Sequence, residues 1–293
     1  MILWILRQLG RLPLARLHRV GAALGWVVYW ASPTYSRRLR ENLYASGVCA
    51  DEAQCRALLR EVIAETGKGA TELLALWFGP LERLQRMVVE RSGWDTVEAA
   101  RARGKGILFL TPHLGCFEIT ALYGAERLPL TILYRPPRQR WLERLMVAGR
   151  GRAQAQLAPT NLQGVRMLYK ALARGEAVGV LPDQAPGEGE GVWADFFGRP
   201  AYTMTLVRRL QEKSGATVIM AFAERLARGR GFRLFLREVP TEHFDEAALN
   251  HAVEEQVQRC PAQYLWGYNR YKVPAGAEPP PATAEGGKRK AEG

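Results

Sequence analysis

The chain has 293 residues, of which 47% are hydrophobic and 24% are charged, a balance that excludes a wholly disordered or collagen-like chain. Its 4 Cys and 4 His residues form no CxxC or HExxH pair, so neither a disulfide scaffold nor a His-rich metal site is expected. The 41 Lys and Arg outnumber the 29 acidic residues and give a formal net charge of +12, which favours polyanionic partners such as anionic lipid, nucleic acid, phosphorylated small molecules or an acidic protein.

The N-terminal segment, residues 1–33, is apolar but interrupted by arginines. Its longest apolar run, 20–31, is well short of the roughly 20 residues that a membrane-spanning helix needs. Trp4, Trp26 and Trp30 carry rings of the kind enriched at membrane interfaces. The pattern favours a hydrophobic helical anchor lying on the membrane, with helices packed on the protein's own core as the alternative.

The rest of the chain predicts an α/β domain over residues 34–273, followed by a disordered tail at 274–293 that has no apolar side chain larger than Ala. Residues 34–100 are predicted to be helical, because apolar side chains recur at helical spacing. The strands predicted after them are 106–110, 130–134, 177–181, 217–222 and 232–239. The predicted helices are 118–127, 141–150, 164–174, 203–214 and 246–259. This alternation indicates a mixed or parallel sheet flanked by helices.

The most informative local sequence is GILFLTPHLGCFE at residues 106–118. An apolar strand ends there in a Thr-Pro turn, and His113 follows where α/β folds place their ligand crevices. Glu118 could fold back to one imidazole nitrogen and leave the other facing the crevice, as in a general base. A structural histidine is the alternative. Cys116 is a weaker candidate nucleophile, since its neighbours are apolar.

Five stretches share one family pattern, and they occur in the order of that family. They are PHLGCFE (112–118), LYRPP (133–137), GEAVGVLPDQ (175–184), FFGRP (196–200) and QYLW (263–266). Over residues 1 to about 273 the chain resembles the late lipid A acyltransferases, the lauroyl- and myristoyl-type branch of the lysophospholipid acyltransferase superfamily. The resemblance implies an acyltransferase-type α/β fold with an N-terminal hydrophobic membrane anchor.

The resemblance also implies a reaction. A fatty acyl group would pass from acyl carrier protein, or in places acyl-CoA, to a hydroxyl of a lipid A precursor during lipopolysaccharide biosynthesis. His113 would be the general base and Glu118 its partner, while Arg150 and Asp183 match other polar site positions of the branch. Arg135 is a further substrate-binding candidate, since a phosphorylated acceptor and an acidic carrier both need cations near the cleft.

The same resemblance sets the expected surroundings of the protein. We expect it at the cytoplasmic face of the inner membrane, with no metal or cofactor, and no nucleic-acid partner because no nucleic-acid-binding signature accompanies the charge. Two alternatives stay open. One is a related acyltransferase acting on a lysophospholipid or other glycolipid, and the other is a non-catalytic basic membrane-binding protein.

Overall fold

The computed structural model describes residues 2–137 and 139–280, and in this part of the chain helices surround a seven-stranded sheet. The helices are α1 (Ile2–Gly10), α2 (Leu14–Ala31), α3 (Pro33–Tyr44), α4 (Glu52–Phe78), α5 (Leu81–Met87), α6 (Trp94–Ala102), α7 (Phe117–Ala125), α8 (Arg140–Arg150), α9 (Leu162–Ala173), α10 (Leu206–Ser214) and α11 (Glu246–Arg259). The strands are β1 (Val88–Ser92), β2 (Ile107–Leu110), β3 (Leu130–Tyr134), β4 (Ala155–Pro159), β5 (Ala177–Val180), β6 (Gly191–Phe196), β7 (Arg199–Met204), β8 (Thr217–Arg225) and β9 (Phe232–Glu238). The predicted α/β class with a mixed sheet is therefore confirmed.

The strand order of the large sheet is β1-β9-β8-β2-β5-β3-β4. Its pairs are parallel except β8 with β9, which is antiparallel. β6 and β7 form a separate antiparallel hairpin. Because β2, β5 and β8 run in the same direction side by side, the segments that follow them emerge at one edge of the sheet.

The core has two parts, one on each face of the sheet, and strand alternation divides the residues between them. On β2, Leu108 and Leu110 contribute to one buried cluster, while Ile107 and Phe109 contribute to the other. All four residues of β2 are buried. This strand is central in the sheet and buried on both faces, and the His113 loop follows directly from its end.

The sequence-based elements after Gly104 agree with the structure apart from short shifts at their ends. β1, β4 and the β6–β7 hairpin were not predicted. β1 and β4 are the two edge strands. β1 is mostly exposed and β4 is mostly half-buried, so neither has the continuous apolar signal of a buried strand. The assignment of 34–100 as helical is wrong at Val88–Ser92, and the helix predicted from residue 203 begins at Leu206 because β7 continues to Met204.

The N-terminal segment predicted as a membrane anchor forms α1 and α2, which pack against α4. In the part of the chain that the structure describes, no helix combines the length and apolar character needed to cross a membrane. The anchor thus stays a prediction. Of the predicted tail, residues 281–293 lie outside the described residues, and the carbonyl of Glu278 accepts a hydrogen bond from Trp193 Nε1 at 3.0 Å.

Cys49 and Cys55 form a disulfide, a pairing that the sequence did not predict. The turn before α4 brings their Cα atoms to 5.4 Å, within the range that a disulfide needs. Asp51 lies between the two cysteines, and its side chain caps the start of α4 by accepting from the backbone N–H of Gln54 at 2.8 Å. Cys116 and Cys260 are free thiols.

Candidate active site

His113 and Asp183 come together at the edge of the sheet where neighbouring parallel strands end. His113 follows β2, and Asp183 follows β5, which pairs with β2 in register along its full length. The register continues past the strands, since the backbone N–H of Thr111 donates to the carbonyl of Val180 at 3.0 Å. The C-terminal edge expected for His113 from the sequence is therefore where the structure places it.

The Asp183 carboxylate holds His113 at two points. Its Oδ1 lies 2.8 Å from the imidazole Nδ1, and its Oδ2 accepts from the backbone N–H of His113, also at 2.8 Å. The Asp183 side chain is 3% exposed, whereas that of His113 is 14% exposed. Burial alone would raise the pKa of the Asp183 carboxyl, but the charge and the hydrogen bonds of His113 hold that pKa below its ordinary value.

An ionised Asp183 determines which imidazole nitrogen carries the proton. A carboxylate can only accept at Nδ1, so Nδ1 bears the hydrogen and Nε2 keeps its lone pair. The side-chain amide of Gln184 lies 3.2 Å from Nε2, in position to donate to that lone pair. This arrangement leaves Nε2 able to accept a proton from a ligand that displaces the Gln184 amide.

The expected contact between Glu118 and His113 is wrong. Both oxygens of Glu118 accept from Arg150 Nε, at 2.9 and 3.0 Å, and its Oε1 also accepts from Arg150 Nη2. Trp77 Nε1 donates to Glu118 Oε2 at 3.1 Å. Glu118 lies in the first turn of α7, and its carboxylate contacts the last residue of α8 and a residue in the last turn of α4 instead of His113.

The loop after His113 is held by backbone hydrogen bonds on both sides. Cys116 N–H donates to the Ala223 carbonyl at 2.8 Å, Gly115 N–H to Gln263 at 3.0 Å, and Leu265 N–H to His113 at 3.0 Å. Gly115 has a φ of +59°, and a Cβ there would collide with the carbonyl of Ala223. Only glycine fits such a position without strain, so this residue lets β8 approach the loop closely.

A buried ionic cluster lies behind this loop and connects it to α2 and α4. Arg225, at the end of β8, donates to both oxygens of Glu72 at 2.7 and 2.6 Å and to Glu65 at 2.8 Å. It also donates to the carbonyl of Gly115 at 3.2 Å. His18 Nε2 lies 3.0 Å from Glu72 Oε2, the oxygen that also accepts from Arg225 Nε. The Arg225 and Glu72 side chains are each 2% exposed, so the pair is enclosed by protein.

The charges of this cluster compensate one another. Burial by itself would raise the pKa of Glu72, but the charge and hydrogen bonds of Arg225, with a smaller contribution from His18, lower that pKa to about 2. Burial raises the pKa of the Cys116 thiol well above its ordinary value, and the charge of Glu72 acts in the same direction. Cys116 is therefore held as a thiol, which is a poor nucleophile.

A narrow apolar cavity lies between the sheet and α7, next to the His113 loop. Phe109, Ile132 and Gly179 line it from the strands, and Phe117 and Gly124 line it from the helix. The ring of Phe117 is 4.9 Å from the imidazole of His113, centre to centre, so the cavity begins beside the histidine. Its void is about 40 Å³. In residues 2–137 and 139–280 no three His, Cys, Asp or Glu side chains are grouped to hold a metal.

The sequence-predicted residues thus separate into three places. His113 and Asp183 form one group, and Glu118 and Arg150 form a second. Arg135 is exposed just after β3, two strands away from β2 at the same edge of the sheet.

The sequence did not predict the contacts of Gln184 with His113 and of Trp77 with Glu118, nor the buried ionic cluster of Arg225. Gln184 stands in the LPDQ stretch next to Asp183 and could have been found there. Nothing in the sequence distinguishes Arg225 from the many other arginines of the chain.

Comparison with known proteins gives the same family over almost the whole chain. The family model described as bacterial lipid A biosynthesis acyltransferase matches residues 1–273. The chain is 28% identical over 282 residues to the lipid A biosynthesis palmitoleoyltransferase of Escherichia coli (strain K12), covering 93% of this chain and 89% of that protein. It is 26% identical over 280 residues to the lauroyltransferase of the same organism, with the same coverage, and 24% identical over 262 residues to its myristoyltransferase, covering 86% and 78%.

Proposed function

This chain belongs to the bacterial lipid A biosynthesis acyltransferases, and we propose that it transfers a fatty acyl group from the thioester of acyl carrier protein to a hydroxyl of a lipid A precursor. The observation that carries the proposal is the His113–Asp183 pair. The imidazole Nδ1 is hydrogen-bonded to the Asp183 carboxylate, and Nε2 lies beside the Gln184 amide, which a ligand could displace. A hydroxyl is a weak nucleophile at neutral pH, and a positioned neutral imidazole is the group that activates it.

The proton and the electron pairs move as follows. The acceptor hydroxyl replaces the Gln184 amide at His113 Nε2, gives its proton to that nitrogen, and its oxygen bonds to the thioester carbon. Asp183 stabilises the imidazolium that forms. The tetrahedral intermediate collapses, the C–S bond breaks, and the leaving thiolate takes the proton back from Nε2. The products are the new ester and the free thiol of the carrier, so the histidine ends as it began.

Arg150 and Glu118 have a different task in this proposal. The double hydrogen bond fixes the plane of the Arg150 guanidinium, and its centre lies 5.9 Å from the ring of Trp77. A guanidinium held in one orientation can bind a phosphate or stabilise an oxyanion without further ordering. We assign Arg150 to substrate binding, with Glu118 as its positioning residue, and Arg135, at the edge of the sheet where His113 lies, as a second substrate-binding cation.

The apolar cavity beside Phe117 is the proposed subsite of the acyl chain. Mostly apolar side chains of β2, β3, β5 and α7 form its walls, and such walls suit a hydrocarbon chain. The void of about 40 Å³ is smaller than a long acyl chain, so the lining side chains must move when the chain enters. Phe117 stands between the cavity and His113 and is the residue whose rotation would admit it.

The proposed partners follow from charge and exposed apolar surface. The net charge of +12 and the exposed Arg135, Arg140 and Arg144 suit an acidic carrier protein. Exposed apolar side chains on α1 and α2, including Trp4 at 66% and Trp30 at 71% exposure, suit attachment to the cytoplasmic face of the inner membrane. Exposed arginines on the same helices would then lie at anionic headgroups.

The test uses the purified full-length protein, a lipid A precursor that lacks its secondary acyl chains, and either acyl carrier protein or coenzyme A thioesters of matched chain length. Mass spectrometry of the lipid product should show one added acyl group with the carrier-protein donor. His113→Ala should lose the activity and keep the fold. Acylation of a lysophospholipid in preference to the lipid A precursor would overturn the proposed acceptor, and wild-type rates in His113→Ala would overturn the mechanism.

A further inference from the structure

A basic cavity lies outside the candidate active site, at the turn between α1 and α2. Pro13 and Leu14 line it from the start of α2, Arg83 and Arg86 from α5, and Arg230 from the turn between β8 and β9. Its volume is about 570 Å³, and its lining includes three arginines and no acidic residue. None of these residues takes part in the mechanism proposed above.

Arg83 is the most enclosed of the three cations. It donates to the carbonyls of Gly10 at 3.0 Å and Leu12 at 2.8 Å, which fixes it at the end of α1. Burial lowers the pKa of its guanidinium. Among the residues that the structure describes, no carboxylate lies within 4.0 Å of it. A partly desolvated charge is thus held by neutral carbonyls, and an anion in the cavity would compensate it.

Arg230 is held in place by the backbone on either side of it. Gly229 has a φ of +68°, and a Cβ there would collide with the backbone nitrogen of Ala15. Gly231 has a φ of +118°, and a Cβ there would collide with the carbonyl of Met87. Because both neighbours require glycine, the turn is locked against α2 on one side and α5 on the other, and the wall that carries Arg230 is built before any ligand arrives.

The exposed cations of the cavity form no ion pair with any acidic residue that the structure describes. Within residues 2–137 and 139–280, neither Arg86 nor Arg230 has a carboxylate within 4.0 Å. Glu90 is the acid whose pKa responds to the charge of Arg230, but its own hydrogen bond comes from Arg233, which is the main cause of its lowered pKa. Arg83 and Arg86 are three residues apart on α5 and so lie on one face of it.

We propose that this cavity binds a phosphate group, and that the phosphate belongs to the headgroup of an anionic membrane lipid. Guanidinium groups bind phosphate oxygens through paired, charge-assisted hydrogen bonds. The position of the cavity favours a lipid as the source of the phosphate. The cavity opens at the turn between two helices with exposed apolar side chains, such as Leu9 on α1 and Val20 on α2. The assignment of the phosphate to a membrane lipid depends on the membrane attachment proposed above, whereas the phosphate site itself does not.

The experiment measures binding of the full-length protein to vesicles of phosphatidylcholine, with and without phosphatidylglycerol. The site variant is Arg86→Gln/Arg230→Gln, which removes two exposed cations and leaves Arg83 to cap α1. The control variant is Arg209→Gln/Arg259→Gln, which removes two exposed cations from α10 and α11, two helices that contribute no residue to the lining of the cavity. The two variants have the same net charge.

We expect the site variant to bind phosphatidylglycerol vesicles roughly thirty-fold more weakly than the wild type, on the basis of about 1 kcal/mol for each arginine at an anionic surface. The control variant should bind like the wild type. Equal losses in the two variants would show attraction by net charge alone and would overturn the proposal. So would vesicle binding that does not depend on phosphatidylglycerol.

A second measurement separates a lipid headgroup from free phosphate. Inorganic phosphate is added to the wild type and to both variants, and the thermal midpoint is recorded. If phosphate raises the midpoint in the wild type and control but not in the site variant, while vesicle binding is unchanged by the substitutions, the lipid source is overturned and the phosphate site stands. Acyl transfer to detergent-dispersed acceptor is assayed in parallel. Its absence in the wild type would refute the proposed function and leave the vesicle result unaffected.

Discussion

Asp183 is hydrogen-bonded to both the side chain and the backbone of His113. Its Oδ1 lies 2.8 Å from the imidazole Nδ1, and its Oδ2 lies 2.8 Å from the backbone nitrogen. The two contacts together fix the carboxylate plane, the direction of the imidazole and its tautomer. Both contacts come from the turn that follows β5, the strand that pairs with β2. The candidate base is thus formed by two parallel strands rather than by one local motif.

This double contact makes Asp183→Asn a severe change. The amide can place only one oxygen, and the backbone N–H of His113 competes for it. The amide N–H₂ would then face Nδ1, and the imidazole would have to carry its proton on Nε2, where it cannot act as a base. We expect kcat to fall by roughly a hundred- to ten-thousand-fold, measured as single-turnover acyl transfer.

Asp195→Asn, at an exposed position of β6, is the matched control for that variant and should keep the wild-type rate. Circular dichroism of both variants establishes that each one is folded. A wild-type kcat in Asp183→Asn would remove this residue from the mechanism.

The second prediction concerns the buried pair of Glu118 and Arg150, whose side chains are 4% and 17% exposed. Arg150→Met leaves Glu118 buried without its cation and should cost about 3–5 kcal/mol in the free energy of unfolding. Adding Glu118→Gln to Arg150→Met should recover part of that loss, with a coupling of about 0.5–3 kcal/mol. Denaturant unfolding of the wild type, both single variants and the double variant measures these values.

A kinetic measurement accompanies this cycle. Because Glu118 contacts Arg150 and Trp77 rather than His113, Glu118→Gln should raise KM for the lipid acceptor and leave the shape of the pH–rate profile unchanged. Strict additivity of the unfolding energies would show that Glu118 and Arg150 do not stabilise each other. A displaced pH profile in Glu118→Gln would return Glu118 to its sequence-predicted role as the partner of His113.

The sequence predicts what is local and misses what depends on long-range placement. The strand before His113 and the turn that ends it are encoded by adjacent residues, so their position was correct. The choice between Glu118 and Asp183 as the partner of His113 depends on the register of β2 against β5, which joins positions 70 residues apart. The buried Arg225 was missed for the same kind of reason, since its carboxylate partners lie on a helix far away in the chain.

The third prediction tests the acyl-chain subsite. Gly124 lies on α7 at the cavity wall, and a Cβ there would come no closer than 3.6 Å to its nearest neighbour, Leu130. A Cβ therefore fits at this position in ordinary van der Waals contact, and we expect the two methyl groups of a valine to narrow the cavity. Gly124→Val should shift the preferred donor to a shorter acyl chain, seen in competition assays with a mixture of carrier-protein thioesters. The short donors serve as the internal control, and an unchanged preference with full activity would exclude this cavity.

The last prediction concerns the ionic cluster of Arg225, Glu72 and His18 behind the loop. The pKa of Glu72 is about 2 in the folded protein against an ordinary value of 4.5. A depressed pKa means that the ionised group stabilises the fold above about 4.5, and that this stabilisation is lost as the pH falls towards 2. Glu72→Gln should cost about 3–5 kcal/mol at neutral pH, because Arg225 loses its main partner. The pH dependence of stability in that acid window should become flatter.

Glu61→Gln, an exposed position on the same helix α4, should change neither the stability at neutral pH nor its dependence on pH in the acid range.

The cluster should also affect the rate of acyl transfer, since Arg225 donates to the carbonyl of Gly115 in the loop that carries His113. Loss of Glu72 should therefore lower kcat more than it raises KM for either substrate, under conditions where the variant is fully folded. Unfolding curves for the three proteins between pH 2 and pH 7 decide the stability claim, and equal acid sensitivity in wild type and Glu72→Gln would show that the cluster does not stabilise the fold through ionised Glu72.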